Sequence, residues 1–129
     1  MKGEILLIYT GGTIGMIKDK KTGSLTPFDF NKLLKAIPEL KSTDLILDHV
    51  SISNPIDSSN MDLPVWVELV ELIKVNYSKY DGFVILHGTD TMAFTASAVS
   101  FMLENLNKSV IFTGSQIPID ARRTDAKEN

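Results

Sequence analysis

The chain has 129 residues, enough for one domain with a real core, and 43% of them are hydrophobic. Its net charge is -3, from 13 basic and 16 acidic residues, which provides no clustered basic footprint for nucleic acid. It has no cysteine, which excludes disulfides and thiolate metal sites and fits a reducing compartment.

Read from the N-terminus, the first element is the apolar run Ile5-Leu6-Leu7-Ile8-Tyr9. It lacks alternation, so it predicts a strand buried on both faces. It is too short for a membrane span or a signal-peptide core, and the expectation is a cytoplasmic protein with no membrane partner. The run ends at Thr10-Gly11-Gly12-Thr13. A polar loop over residues 18–24 follows, whose short basic run Lys18-Asp19-Lys20-Lys21 reads as a solvated surface.

Thr26-Pro27 predicts a helix start, with Thr26 as N-cap, Phe30, Leu33, Leu34 and Ile37 on one face, and an end before Pro38. A second strand is expected over residues 45–52, with His49 as a structural residue within it. A polar loop over residues 54–60 then leads to Asp62, which caps a helix over residues 63–77. Trp66, Leu69, Val70, Ile73 and Tyr77 recur there at helical spacing.

A third buried strand, Phe83-Val84-Ile85-Leu86, ends at His87-Gly88-Thr89-Asp90. The helix after it carries Met92, Ala96, Val99, Leu103 and Leu106 on one face, with Thr89 or Asp90 as its expected N-cap. A fourth strand, Val110-Ile111-Phe112, ends at Thr113-Gly114-Ser115, and residues 122–129 read as the opening turns of another helix. Strands alternating with helices predict an α/β fold, a parallel sheet flanked by helices of the Rossmann or flavodoxin-like kind. Ligands of such sheets bind outside the carboxyl ends of the strands. The four polar loops at those ends, residues 10–13, 54–60, 87–90 and 113–116, are therefore the predicted site.

The chemistry in these loops is that of hydroxyls and carboxylates. Gly11-Gly12 permits a tight turn and close approach of backbone to a ligand. Without a Walker lysine or a three-glycine fingerprint, a phosphate cradle is not supported. Backbone N–H groups at the helix start after Asp90 suit a carboxylate or oxyanion. No Gly-x-Ser-x-Gly elbow accompanies the two histidines, so a Ser-His-Asp triad has no support. His87 reads as a residue that orients its loop and not as the base. His and carboxylate residues are too scattered for a metal, and neither metal nor cofactor is expected.

These motifs resemble a known family. Thr10-Gly11-Gly12-Thr13-Ile14-Gly15 and His87-Gly88-Thr89-Asp90-Thr91-Met92 are similar to the two signature motifs of the bacterial-type L-asparaginase/glutaminase family. Asp57-Ser58-Ser59-Asn60-Met61 and Thr113-Gly114-Ser115-Gln116-Ile117-Pro118 resemble it too, and favour its cytoplasmic type I branch. The resemblance implies hydrolysis of L-asparagine to L-aspartate and ammonia through a covalent acyl-enzyme. Thr13 matches the primary nucleophile, and Thr89 and Asp90 match the second catalytic threonine and its aspartate. Gly12, Asp57, Ser58, Ser59, Gly88, Thr89, Asp90 and Ser115 match the substrate-binding positions. Of these, Ser58 matches the α-carboxylate contact and Asp90 the α-ammonium contact. Ser59 stands where many secreted members have Gln, and Ser115 where a backbone carbonyl receives the side-chain amide. A homodimer or homotetramer is also implied.

Two departures stand out. The family's mobile loop carries a Tyr, whereas Gly23-Ser24-Leu25-Thr26-Pro27 has none, which leaves Ser24 or Thr26 as stand-ins. The family's catalytic lysine has no counterpart in these residues, since Lys127 lies in the wrong element. The expectation is a truncated N-terminal catalytic domain over residues 1–129, without the family's C-terminal domain. Such a chain would be inactive alone and prone to aggregate through uncovered apolar surface. Two alternatives remain open. One is a glutaminase-type amidohydrolase; the related tRNA-dependent amidation subunit is disfavoured because its extra N-terminal domain has no room before Thr10. The other is a non-catalytic amino-acid-binding module.

Overall fold

The computed structural model describes residues 2–18, 25–26, 29–41 and 43–129. In chain order the elements are β1 (Gly3–Tyr9), β2 (Ile17–Lys18), β3 (Leu25–Thr26), α1 (Phe30–Ala36), β4 (Leu45–Ser51), α2 (Leu63–Asn76), β5 (Gly82–Leu86), α3 (Met92–Met102) and β6 (Ser109–Thr113). Four strands form one sheet in the order β4-β1-β5-β6, and every neighbouring pair is parallel. The α/β expectation of a parallel sheet with flanking helices is met.

Side-chain alternation along the strands divides the sheet into two faces. Leu6 and Ile8 of β1, with Phe83 and Ile85 of β5, pack against Leu69, Val70 and Ile73 of α2 and Val99 of α3. Tyr9 and Leu86 turn to the opposite face, where they meet Leu33 of α1, Ile14, Ile119 and Ala126. Leu6 to Tyr9 of β1 are thus buried on both faces, which is why Ile5 to Tyr9 is an unbroken apolar run. The second face is less filled: a cavity of about 440 Å³ lies between the sheet and α1, lined by Leu7, Leu33, Ile37, Leu47 and Val84 among others.

Helix α2 follows the sequence closely. The Asp62 carboxylate accepts from Val65 N at 3.2 Å and Pro64 sits in the first turn, where its missing N–H costs no hydrogen bond. Two other expectations are corrected. The helix expected from Thr26 begins at Phe30, because Leu25–Thr26 pairs antiparallel with Ile17–Lys18; Pro27 lies outside the described residues. Helix α3 stops at Met102, so Leu103 and Leu106 are not on its face. There Asn105 takes a positive φ of 55°, and the Tyr77 hydroxyl, 2.8 Å from Asn107 N, anchors the chain that follows. Residues 122–129 form turns, the last of them helical, with Asn129 N donating to Asp125 O at 3.1 Å, while the Asp125 carboxylate accepts from Gln116 N and Ile117 N at 3.0 and 3.1 Å.

Candidate functional site

The register brings Tyr9, Ser51, Leu86 and Thr113 into one row across the sheet, so the loops after all four strands start at the same level. The chain runs from β1 to β4 on one side and then crosses to β5 on the other. The crevice between β1 and β5 is therefore the topological switch point.

The loops meet through glycines. Gly12 has φ 84° and ψ 167°, a region essentially closed to other residues. A Cβ there would lie 2.5 Å from Cα and N of Gly88, so the first loop rests directly on the third. A Cβ on Gly88 would in turn meet the Ser58 side chain, with Oγ at 2.5 Å and Cβ at 2.7 Å. Gly11 approaches the backbone of Ile56, and Gly114 approaches the His87 carbonyl. Hydrogen bonds follow the same contacts: Ile56 N donates to Thr10 O at 3.0 Å, and His87 N to Thr113 O at 2.9 Å.

Each hydroxyl has a distinct setting. Thr10 is buried and its Oγ1 donates to Leu86 O at 3.1 Å, so this hydroxyl closes the end of the strand. Thr13 opens a short 3-10 turn, Thr13–Gly15, directly after the Gly12 contact, and is half-buried. Thr89 is also half-buried, and its Oγ1 accepts from Gln116 Nε2 at 3.0 Å. Ser58 is buried, while Asp90 is exposed. The Asp57 carboxylate accepts from both N and Oγ of Ser59, at 2.9 and 2.8 Å, and these bonds hold its pKa below the usual carboxylate range. The Ser115 hydroxyl donates to Ile117 O at 2.9 Å and shapes the fourth loop.

The expected cap of α3 is corrected. The N-cap position belongs to Thr91 and not to Thr89 or Asp90, and Thr91 makes no side-chain cap bond. Its Oγ1 donates instead to Ser58 O at 2.7 Å, tying the second loop to the third. The first turn of α3 keeps its amide dipoles, which favour negative charge beside the loops.

His87 lies beneath this cluster. The ring is fully buried, with Nδ1 2.6 Å from Gly88 O and Nε2 2.9 Å from Thr95 Oγ1. Burial pushes its pKa down, against the smaller opposing effect of the Gly88 bond, so the ring is neutral near neutral pH. That setting agrees with a loop-orienting residue. His49, the structural strand histidine, stacks on Phe30 with ring centroids 4.2 Å apart. Among the described residues, three lysines are engaged elsewhere. Lys74 pairs with Glu71, Lys79 with Asp48, and Lys108 donates to the Tyr77 and Tyr80 carbonyls. Lys127 lines the apolar cavity under α1. Gly23, Ser24 and Pro27 of the Tyr-free loop, and most of the basic run, lie outside the described residues.

Sequence reasoning assigned no role to Gln116, Thr95 or Asp125. Gln116 lies within the fourth-loop motif. Thr95 gives no signal, because helical periodicity reports apolar residues alone.

A parallel sheet of this order, with hydroxyl-lined loops joined at its switch point, defines an α/β protein whose candidate small-molecule site lies at the carboxyl edge. Residues 4–129 match the family model described as "Asparaginase, N-terminal". The chain is 46% identical to L-asparaginase 1 of Escherichia coli (strain K12) over 99% of its own length and 38% of that relative. L-asparaginase I from Vibrio cholerae superposes with a TM-score of 0.87 at 46% identity, covering 100% of this chain and 39% of that one. A probable cytoplasmic L-asparaginase from Campylobacter jejuni gives 0.83 at 33% identity, covering 99% and 39%. The chain belongs to the asparaginase family and spans about two fifths of the length of these relatives.

Proposed function

We propose that this chain carries the nucleophile and the amino-acid pocket of an amidohydrolase that converts L-asparagine to L-aspartate and ammonia. The observation that carries the reading is the convergence of Thr13, Ser58 and Thr89 on loops packed through Gly12 and Gly88. In this reading Ser58 and the dipole of α3 hold the substrate α-carboxylate, and Asp90 holds the α-ammonium. Thr13 Oγ1 attacks the side-chain amide carbon, and backbone N–H groups stabilise the oxyanion. The C–N bond breaks, ammonia leaves with the proton taken from Thr13, and an aspartyl ester remains on Thr13. Water then cleaves the ester and returns the proton. Cytoplasmic location and assembly as a homodimer or homotetramer belong to the same proposal. The Campylobacter similarity supports the first, and Phe94 and Phe101, exposed on α3, support the second.

The test is ammonia release from L-asparagine by the gene product, with L-glutamine as competitor. Thr13→Ala is expected to lower kcat by about 10³-fold or more, and Thr13→Ser to retain turnover, as for removal of a covalent nucleophile. A Thr13→Ala variant as active as wild type would refute the mechanism. A second reading, amino-acid binding without turnover, is favoured by the engagement of Lys74, Lys79 and Lys108 with partners away from the loops. Calorimetric binding of L-aspartate with no ammonia release would select it.

A further inference from the structure

The bonds around His87 fix its tautomer. Gly88 O only accepts, so Nδ1 carries the proton and donates to it across 2.6 Å. In the neutral ring Nε2 then accepts, and the group 2.9 Å away, Thr95 Oγ1, must donate. Thr95 Oγ1 in turn accepts from Trp66 Nε1, which only donates, at 3.0 Å. The chain therefore runs one way, from Trp66 on α2 through Thr95 on α3 and His87 to the Gly88 carbonyl. Both His87 and Thr95 are wholly buried, so the chain lies in the core beneath the loop.

This direction has a consequence for the next peptide unit. The peptide is trans, so the C=O of Gly88 and the N–H of Thr89 point to opposite sides. With the carbonyl drawn inward to His87, the Thr89 N–H faces outward to the loop cluster. Gly12 packed over Gly88 N and Cα, and Ser58 against the side-chain position of Gly88, hold the Cα from which this unit extends.

We infer that Trp66, Thr95 and His87 are positioning residues that hold the Gly88–Thr89 peptide so that its N–H is aimed at an anionic oxygen of the substrate. The inference rests on the amidohydrolase reading for its catalytic consequence, but not for its geometry. The first measurement is ¹⁵N NMR of the His87 ring in the wild-type protein. A protonated Nδ1 with an unprotonated Nε2 is expected at pH 7, and the reverse tautomer overturns the proposal. The second is the Thr89 amide resonance during titration with L-aspartate. A downfield shift that is lost in His87→Phe is expected; a shift of the same size in that variant overturns the proposal.

The third measurement is kinetic. Thr95→Val should lower kcat about tenfold and His87→Phe about 100-fold, up to the effect of losing one oxyanion donor, with KM within about twofold. His87→Asn, whose amide can replace the Nδ1 donor, and Thr95→Ser should recover most of that loss. Unchanged kcat in both disruptive variants, or an effect confined to KM, overturns the proposal. If the wild-type protein hydrolyses no asparagine, the amidohydrolase reading fails, while the tautomer and amide measurements still decide this one.

Discussion

The α2–α3 face of the sheet and the loop cluster at its carboxyl edge are held by different physics. On the face, Leu6, Ile8, Phe83 and Ile85 interlock with Leu69, Val70, Ile73 and Val99, and contact is made by the presence of side chains. At the edge, Gly12 rests on Gly88 and Gly88 on Ser58, and contact depends on the absence of side chains. A core filled with methyl groups gives way gradually when one is removed. A junction of bare backbones has no such tolerance when one is added.

The sharpest test of that contrast adds one carbon at the edge. Gly12→Ala places a methyl 2.5 Å from the backbone of Gly88 at φ 84° and ψ 167°. Strain in that region and the clash together should cost about 3 kcal/mol or more, read as a lowered urea midpoint. Binding of L-aspartate should be abolished, because the first and third loops can no longer touch. Retained binding with wild-type stability would show that the loops do not depend on this contact. The matching change in the core removes one carbon. Ile85→Val, in the strand leading to Gly88, should cost about 0.5–1.5 kcal/mol and leave L-aspartate affinity unchanged. If Ile85→Val were the more damaging of the two, the contrast would be reversed.

This contrast also explains what could be read from the sequence. Periodicity reports side chains that face a core, so α2 and the doubly buried β1 were legible from Leu69, Val70, Ile73 and from Ile5 to Tyr9. The placing of the loops followed from parallel topology alone. What could not be read depends on partners distant in sequence. Asp125 begins a helical turn, as its segment suggested, but that its carboxylate accepts from Gln116 N and Ile117 N depends on the fold. Thr26-Pro27 carried the marks of a helix start, but Leu25–Thr26 pairs with Ile17–Lys18. Thr95 is a polar residue on a helix until α2 brings Trp66 and β5 brings His87 against it.

A smaller effect comes from pH, and it separates the two regions again. The pKa of His87 is lowered by burial from its ordinary value of 6.5. Near pH 6 the unfolded chain therefore holds more protons on this ring than the folded one. Stability from this group is complete above pH 6.5 and is lost as pH falls through that value toward the folded pKa. The carboxylates of Asp57 and Asp125, whose pKa values are lowered by backbone donors, act in a separate window, losing their contribution only as pH falls below about 4. Urea midpoints from pH 8 to pH 5 should fall in wild type and fall less in His87→Asn. An equal decline in both would assign the effect to other groups.

The smallest effect is expected at Ser59, and it tests whether every hydroxyl at the edge matters. Its Oγ donates to Asp57 Oδ1 at 2.8 Å, so the hydroxyl commits its one proton to a local turn. The residue is exposed, and its backbone N–H makes a second bond to the same carboxylate oxygen at 2.9 Å. Ser59→Ala keeps that second bond, so Asp57 retains its cap and Ser58 its place against Gly88. An exposed change of this kind is worth about 0.5 kcal/mol or less, which limits the change in L-aspartate affinity to about twofold. Asp57→Ala removes both bonds and should weaken binding more, through displacement of Ser58. If Ser59→Ala weakened binding more than Asp57→Ala, the Ser59 hydroxyl would be a direct ligand contact, and the Asp57 turn would not be what places the second loop.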